Sequence, residues 1–160
     1  MTEKPANVRL ANPEDEEKIR VLLDQLEIDN GFGISVSDSK VREQIRVGTE
    51  KRGGIIGVID GPDGVILGSI GIFLTSWWYS DEVYLGELWL FVDPDYRSNH
   101  YEKDLFQFAH WCRESLSVGS DKPLALVTSV SSPARLDSKI RLWRRHAGKM
   151  IGGIFAVTGE

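Results

Sequence analysis

The sequence predicts an α+β fold in which helices pack on both faces of a mostly antiparallel, mixed sheet. Short runs rich in β-branched residues lie close together in the middle of the chain, with turn residues between them. Segments with apolar residues at helical spacing lie on either side of these runs. The chain has 160 residues, of which 41% are hydrophobic, so we expect a single domain over 1–160.

The N-terminal part predicts a short strand and a long helix. Val8–Leu10 is the strand candidate, and Asn12 then precedes Pro13, an order that suits a helix cap and a first turn. The helix ends before Asn30. Its apolar residues recur at i, i+3, i+4 and i+7, which predicts one buried stripe. The stripe consists of Ile19, Leu22, Leu23 and Leu26.

A second helix is predicted after a glycine-containing loop around Phe32. Ser37 is a suitable N-cap, because its hydroxyl can accept a hydrogen bond from the first turn. The apolar residues of this helix are Val41, Ile45 and Val47.

The middle of the chain predicts three antiparallel strands. Ile55–Ile59 and Val65–Leu74 flank Asp60–Gly64, whose residues favour a turn, so the two runs form a hairpin. The segment Trp77–Asp81 turns the chain into a third strand that ends at Val92.

The C-terminal part adds two helices and two strands. The first helix is stopped by Gly119, and a strand follows over Leu124–Val130. The second helix opens at Pro133 and ends at Gly148, before a last strand over Ile154–Val157. The predicted core stripes are Leu105, Phe108, Ala109, Cys112 and Leu116 in the first helix, and Leu136, Ile140, Trp143 and Ala147 in the second.

Composition excludes several classes of function. The chain has 24 acidic and 19 basic residues, an excess that argues against general nucleic-acid binding. It has neither an apolar run long enough to span a bilayer nor a signal-peptide core, so we expect a cytoplasmic protein without a membrane partner. The single cysteine, Cys112, lies on a core stripe and is expected to pack rather than react. The three histidines lack metal-ligand spacing, so no metal site is expected.

One stretch predicts a site for a phosphate group. An apolar strand runs from Glu87 to Val92, Pro94 ends it, and helical spacing resumes at Leu105. Arg97 and Lys103 therefore lie near a helix N-terminus, whose free N–H groups and dipole favour an anion.

The order of elements, with this strand, loop and helix in its middle, resembles the GNAT superfamily of acyl-CoA-dependent N-acetyltransferases over nearly the whole chain. That family has a loop of pattern Gln/Arg-x-x-Gly-x-Gly/Ala that holds the CoA pyrophosphate. Here Arg97 matches, while His100 and Glu102 stand in place of the two small residues. Pro94-Asp-Tyr-Arg97 and Lys103-Asp-Leu105 are most similar to GNAT-like acetyltransferases of tailed bacteriophages, which implies the host cytoplasm as location.

The resemblance implies acetyl-CoA as co-substrate and an amine of a small molecule or protein as acceptor, joined in a ternary complex. A strand N–H near Phe91 or Val92 would polarise the thioester. The last strand, at the sheet edge, would offer a surface for a homodimer. The acetyl-CoA-binding residues that the family resemblance implies are Phe91, Val92, Arg97, Ser98, Asn99, His100, Tyr101, Glu102 and Lys103.

Glu87 is the candidate general base. On a regular strand it would share a face with Trp89 and Phe91, and a carboxylate among aromatic rings has a raised pKa. The alternative is a half-exposed strand residue paired with a cation. In many members of the family, a tyrosine in the last helix protonates the departing thiolate, and Trp143 stands at the matching position here. Because an indole cannot act as this general acid, we interpret Trp143 as a core residue. Tyr101 or water is then the candidate acid.

Three questions stay open at this level. The family resemblance also fits a catalytically inactive module that binds a protein or another anion, since His100 and Glu102 crowd the loop. Trp77, Trp78 and Tyr79 either wall an acceptor pocket or pack on the core. The basic last helix either binds an anion or is simply a solvent-exposed helix face. The possible anions are the CoA 3′-phosphate, an acidic protein and, in an RNA-directed acetyltransferase, RNA. Its basic residues are Lys139, Arg141, Arg144, Arg145 and Lys149.

Overall fold

The computed structural model describes residues 2–29, 35–130 and 135–151. Its strands are β1 (Arg9–Leu10), β2 (Gly54–Asp60), β3 (Ile66–Ser76), β4 (Val83–Val92) and β5 (Leu126–Val127). Its helices are α1 (Glu16–Asp29), α2 (Asp38–Thr49), α3 (Tyr101–Leu116) and α4 (Leu136–His146). Phe32, Pro133 and the predicted last strand Ile154–Val157, with its proposed dimer edge, lie outside the described residues.

The strands form one mixed sheet in the order β1-β2-β3-β4-β5. The first four are antiparallel neighbours, and β5 lies parallel to β4. The predicted meander of three central strands is therefore confirmed, and with it the mostly antiparallel, mixed sheet.

Helices cover both faces of this sheet, as predicted. On one face, α1 and α2 pack on β2, β3 and β4 through a cluster that includes Ile19, Leu22, Leu23, Ile45, Ile56, Val58, Phe73, Trp89 and Phe91. On the other face, α3 packs through Leu105, Phe108, Ala109 and Cys112 against Ile59, Ile70, Ile72, Leu85 and Val92. Alternation along each strand sends successive side chains to opposite clusters, so the sheet is buried on both sides.

The helix starts follow from local hydrogen bonding. Asn12 accepts a hydrogen bond from the Glu14 N–H at 2.9 Å, and the Asp15 carboxylate accepts one from the Asn12 N–H at 2.9 Å. Asp15 also receives two hydrogen bonds from the Arg9 guanidinium, which lower its pKa and tie β1 to the start of α1. Ser37 accepts a hydrogen bond from the Lys40 N–H at 3.4 Å, which confirms its capping role.

Three features of the C-terminal part differ from the prediction. Leu116 is 45% exposed, because the last turn of α3 lies beyond the core cluster of its helix. Strand β5 has two residues instead of seven, since it pairs with β4 only at Leu85 and Gly86. Helix α4 begins at Leu136, and none of its residues is buried, so its apolar stripe is half-covered rather than central to the core.

We predict that Gly71→Ala destabilises the protein by about 1 to 3 kcal/mol, because a Cβ at this position of β3 would lie 2.6 Å from the Trp89 ring. Gly68→Ala, in the same strand, is the matched control, since its Cβ would meet neighbours at ordinary contact distances of 3.4 Å or more. Urea unfolding of the three proteins measures the difference. Equal stability of the two variants would contradict the close packing described here.

Candidate functional site

A β-bulge in β4 shapes the site. In the pairing with β3, Glu87 lies opposite Ile72 and Trp89 lies opposite Gly71, which leaves Leu88 as an extra residue. The bulge lets two residues separated by two positions face opposite sides of the sheet. Glu87 therefore lies on the α3 face with Ile72, whereas Trp89 points to the α1 face.

Beyond the bulge, β4 and β5 diverge. The two strands pair only at Leu85 and Gly86, so within the described chain the later part of β4 has no strand on its outer edge. The Asp93 N–H donates to the Leu67 carbonyl of β3 at 2.8 Å. By alternation the Val92 N–H points away from β3, toward the open edge, and the Phe91 N–H points toward β3. Of the two amides predicted to polarise a thioester, that of Val92 has the suitable direction.

A cleft of about 190 Å³ opens beside this edge. One wall is the end of β4, at Leu90–Val92, and Arg97 and Glu102 border it from the following loop and helix. The opposite wall is one face of α4 with its cap, comprising Arg135, Ser138, Lys139, Leu142 and Trp143.

The sequence interpretation missed most of the α4 wall. Residues 135, 138, 139 and 142 follow the i, i+3, i+4, i+7 spacing of one helix face, and the first three carry polar groups. This spacing was the available signal, but nothing in the sequence shows that α4 faces the end of β4.

The loop after β4 forms a tight turn into α3. A 3-10 turn over Pro94–Asn99 is capped by the Asp93 carboxylate, which accepts a hydrogen bond from the Asp95 N–H at 2.9 Å. His100 then adopts a left-handed conformation, with φ of 59°, and α3 begins at the next residue. This backbone region favours glycine, so His100 keeps the turn at a cost in local strain.

Arg97 ties this loop to the strand. Its Nε donates to the Val92 carbonyl at 3.2 Å, and its guanidinium carbon lies 5.5 Å from the centre of the Phe91 ring. Such contacts position the positive charge at the mouth of the cleft, where Glu102 contributes the opposing negative charge.

The structure brings together some of the predicted donor-binding residues and separates others. Phe91, Val92, Arg97 and Glu102 line the cleft. Four predicted residues have exposed side chains that do not line the cleft. They are Ser98, Asn99 and His100 in the turn, and Lys103 in the first turn of α3. Their role in donor binding stays a prediction.

Glu87 is a buried carboxylic acid at the point where β4 and β5 separate. It is 9% exposed, and its Oε2 accepts a hydrogen bond from the Ser129 N–H at 3.1 Å. Burial raises its pKa to about 7, and the Ser129 N–H opposes this rise only in part. The expected raised pKa agrees with the structure, but its cause differs, because the bulge separates Glu87 from the face of Trp89 and Phe91. The alternative of a half-exposed residue paired with a cation is wrong, since no cation of the described chain pairs with it.

Two other predicted roles change. Tyr101 packs against the α3-side core and does not line the cleft, so the structure lends no support to its role as an acid. Trp143 is a cleft residue rather than a core residue; it is half-buried, with its ring edge-on to Phe106 at 5.0 Å. Cys112 is buried as expected, and burial raises its pKa to about 12.

The aromatic segment after β3 does not pack into the core. Trp78 is 94% exposed, and Trp77 stacks on Tyr84 with ring centres 4.9 Å apart. The core alternative for Trp77–Tyr79 is therefore wrong, and a role in acceptor binding stays a prediction. Over the residues that the structure describes, no cluster of ligands suits a metal ion, and no helix is both long and apolar enough to cross a membrane.

Several solved structures with a similar fold are acetyltransferases. An acetyltransferase of Trypanosoma brucei has 18% identity and a TM-score of 0.63, over 94% of this chain and 97% of that one. AAC(6')-Iy, solved in complex with the bisubstrate analogue CoA-S-monomethyl-acetylneamine, has 16% identity and a TM-score of 0.65, over 96% and 97%.

A third solved acetyltransferase has a similar fold. The aminoglycoside 6'-N-acetyltransferase AAC(6')-Ih from Acinetobacter baumannii has 8% identity and a TM-score of 0.68, over 96% of this chain and 97% of that one. No protein-family model and no curated protein sequence matches the chain. The architecture and these similarities show that the chain has the GNAT α+β fold.

We predict that Glu87→Gln removes a pH dependence of stability. The folded-state pKa is raised from 4.5 to about 7, so the protein loses stability as the pH rises through this range. At pH 8 the variant should be more stable than the wild type by up to about 3 kcal/mol, and at pH 4 the two should be similar. Chemical unfolding at both pH values measures this, with the exposed Glu3→Gln as control. A wild-type stability that is flat between pH 4 and 8 would contradict the buried state of Glu87.

Proposed function

We propose that the chain is an N-acetyltransferase that transfers an acetyl group from acetyl-CoA to an amine in a ternary complex. The observation that carries this proposal is the open edge of β4 beyond the bulge, which borders a cationic cleft on one side and a buried carboxylic acid at its base. In this proposal the donor binds in the cleft and the acceptor amine meets it at the same stretch of strand, near Glu87.

The residues of the cleft fit the chemistry of acetyl-CoA. Arg97, Arg135 and Lys139 supply positive charge around the start of α3, where free N–H groups favour phosphate. The apolar wall at Leu90 and Leu142 suits the aliphatic arm of the donor. The Val92 N–H would donate a hydrogen bond to the thioester carbonyl oxygen and stabilise the charge that develops there.

Glu87 is the proposed general base. A carboxylate with a pKa of about 7 is well matched to accept a proton from an amine at neutral pH, directly or through a water molecule. The free amine then attacks the carbonyl carbon, the C–N bond forms, the C–S bond breaks, and the nitrogen releases its second proton to solvent. Since Tyr101 packs against the α3-side core and does not line the cleft, we propose that the departing thiolate takes its proton from water.

The acceptor and the biological setting rest on the sequence. An amine of a small molecule or a protein fits the proposed reaction, and Trp77–Tyr79 would form part of its binding surface. The phage origin and cytoplasmic location implied by the resemblance stay predictions, as does the homodimer.

A second candidate is a catalytically inactive GNAT-like module that binds a protein or another anion. It is favoured by Glu102, whose carboxylate borders the cleft in which a pyrophosphate would bind. Unfavourable contact with this carboxylate would weaken binding of CoA.

We predict that acetyl-CoA binds the wild-type protein and that Arg97→Ala weakens this binding about 10-fold or more, because the guanidinium lies at the mouth of the cleft. Isothermal titration measures both affinities. Arg52→Ala is the control, since Arg52 lies in the turn after α2, outside the cleft lining, and pairs with Glu50. Glu102→Gln should strengthen binding by removing a negative charge. Absence of binding at millimolar acetyl-CoA would overturn the enzyme proposal in favour of the second candidate.

We predict that Glu87→Gln lowers kcat about 100-fold or more with lysine-bearing proteins, polyamines or aminoglycosides as acceptors. The wild-type rate should rise with pH through about 7 as Glu87 ionises, and this limb should be absent from the variant. Thiol release measures the rate, and titration with acetyl-CoA shows whether the variant still binds the donor. A variant with unchanged rate and pH profile would remove Glu87 as the base.

A further inference from the structure

The aromatic turn that joins β3 to β4, comprising residues 77–82, projects beyond the sheet. Strand β2 begins beside Phe73, and β5 pairs with β4 no earlier than Leu85, so the described chain places no strand beside the turn. Trp78 is 94% exposed and Tyr79 is 68% exposed. The turn lies at the opposite end of β4 from the cleft, so its side chains belong to a separate surface.

Backbone and polar contacts hold the turn without help from the rings. The Ser80 N–H donates to the Trp77 carbonyl at 3.0 Å, and the Ser80 hydroxyl accepts a hydrogen bond from the Glu82 N–H at 3.1 Å. Lys122, in the loop after α3, pairs with Glu82 at 2.6 Å. Exposed aromatic rings that neither build a turn nor fill a core are typical of a surface that binds a partner.

The rings of the turn form a corner with two walls. Trp77 stacks on Tyr84 and on Tyr79, with ring centres 4.9 and 6.2 Å away. Trp78 lies at 87° to Tyr79, with ring centres 5.3 Å apart. The face of an aromatic ring attracts a cation, and proteins bind ammonium groups at sites that several such rings surround.

The charge of the turn also favours a cationic partner. Between Arg52 and Arg97 the sequence contains no lysine, arginine or histidine. Glu82 is paired with Lys122, whereas Asp81 is exposed and no cation among the described residues pairs with it. A phosphate-rich surface such as a nucleic acid or an anionic membrane would be repelled here. Rings and charge together therefore suit lysine or arginine side chains.

We propose that the aromatic turn is a docking surface for a basic segment of a partner protein. A lysine or arginine side chain of that segment packs on Trp78 and Tyr79, and Asp81 pairs with its charge. The inference goes beyond the proposed function, because docking requires neither acetyl-CoA nor Glu87. Under the proposed function, the partner would be a protein acceptor that is held by residues outside the cleft.

The test is to titrate fluorescein-labelled octalysine with the protein, without acetyl-CoA, and to follow fluorescence anisotropy at about 150 mM salt. Trp78→Ala should weaken binding about 5-fold, and Asp81→Asn about 3-fold. Asp63→Asn is the matched control, since it removes the same charge from the exposed turn between β2 and β3, at the other end of β3, and its affinity should equal that of the wild type. Because Trp78 is almost fully exposed, urea unfolding should show unchanged stability for Trp78→Ala.

An otherwise identical peptide with every lysine Nε-acetylated should not bind, because it keeps the apolar stems but has lost their charges. Absence of octalysine binding, equal affinity of the wild type and Trp78→Ala, or undiminished binding of the acetylated peptide would overturn the proposal. It would also be overturned if phosphatidylcholine vesicles bound the wild type and not Trp78→Ala, since the turn would then be a membrane anchor. None of these results bears on the titration with acetyl-CoA that tests the proposed function.

Discussion

The extra residue in β4 is the constraint on which the rest of the site depends. Side chains of a strand alternate with a period of two, so one inserted residue at Leu88 reverses the face of everything that follows it. Glu87 thereby lies on the α3 face while Trp89 enters the α1-side core. The pairing with β5 ends at Gly86, just before the bulge, so the described chain leaves this edge of β4 without a strand beside the cleft. The buried acid therefore lies between the last paired residue of β4 and its unpaired edge.

The chemical groups of the cleft come from two parts of the fold. The end of β4 and the turn at His100 provide backbone groups and the fixed charge of Arg97, whereas α4 provides Lys139, Arg135 and the ring of Trp143. None of the residues of α4 is buried, so the described part of the chain covers this helix only partly. Among the residues that line the cleft, Glu102 alone carries a negative charge, which would oppose a phosphate bound there.

The fold was predictable because its signals are local. Asn12 and Ser37 cap helices through hydrogen bonds to residues two or three positions away, and the turn Asp60–Gly64 joins two strands that pair directly. Leu116 was assigned to the core because helical spacing shows which residues share a face, but not how far the sheet extends beneath that face. The length of β5 could not be predicted from the sequence either, because it depends on how far β4 runs beside it.

By itself, the sequence determined the order of the described elements, the two-sided burial of the sheet and the location of the turn between β4 and α3. Only the tertiary structure decided which face Glu87 occupies, that Tyr101 packs against the α3-side core, and that Trp143 lines the cleft. The physical reason is that capping and turn formation depend on neighbours along the chain. The raised pKa of Glu87 and the position of Trp143 depend instead on which groups the fold brings near them and which it keeps away.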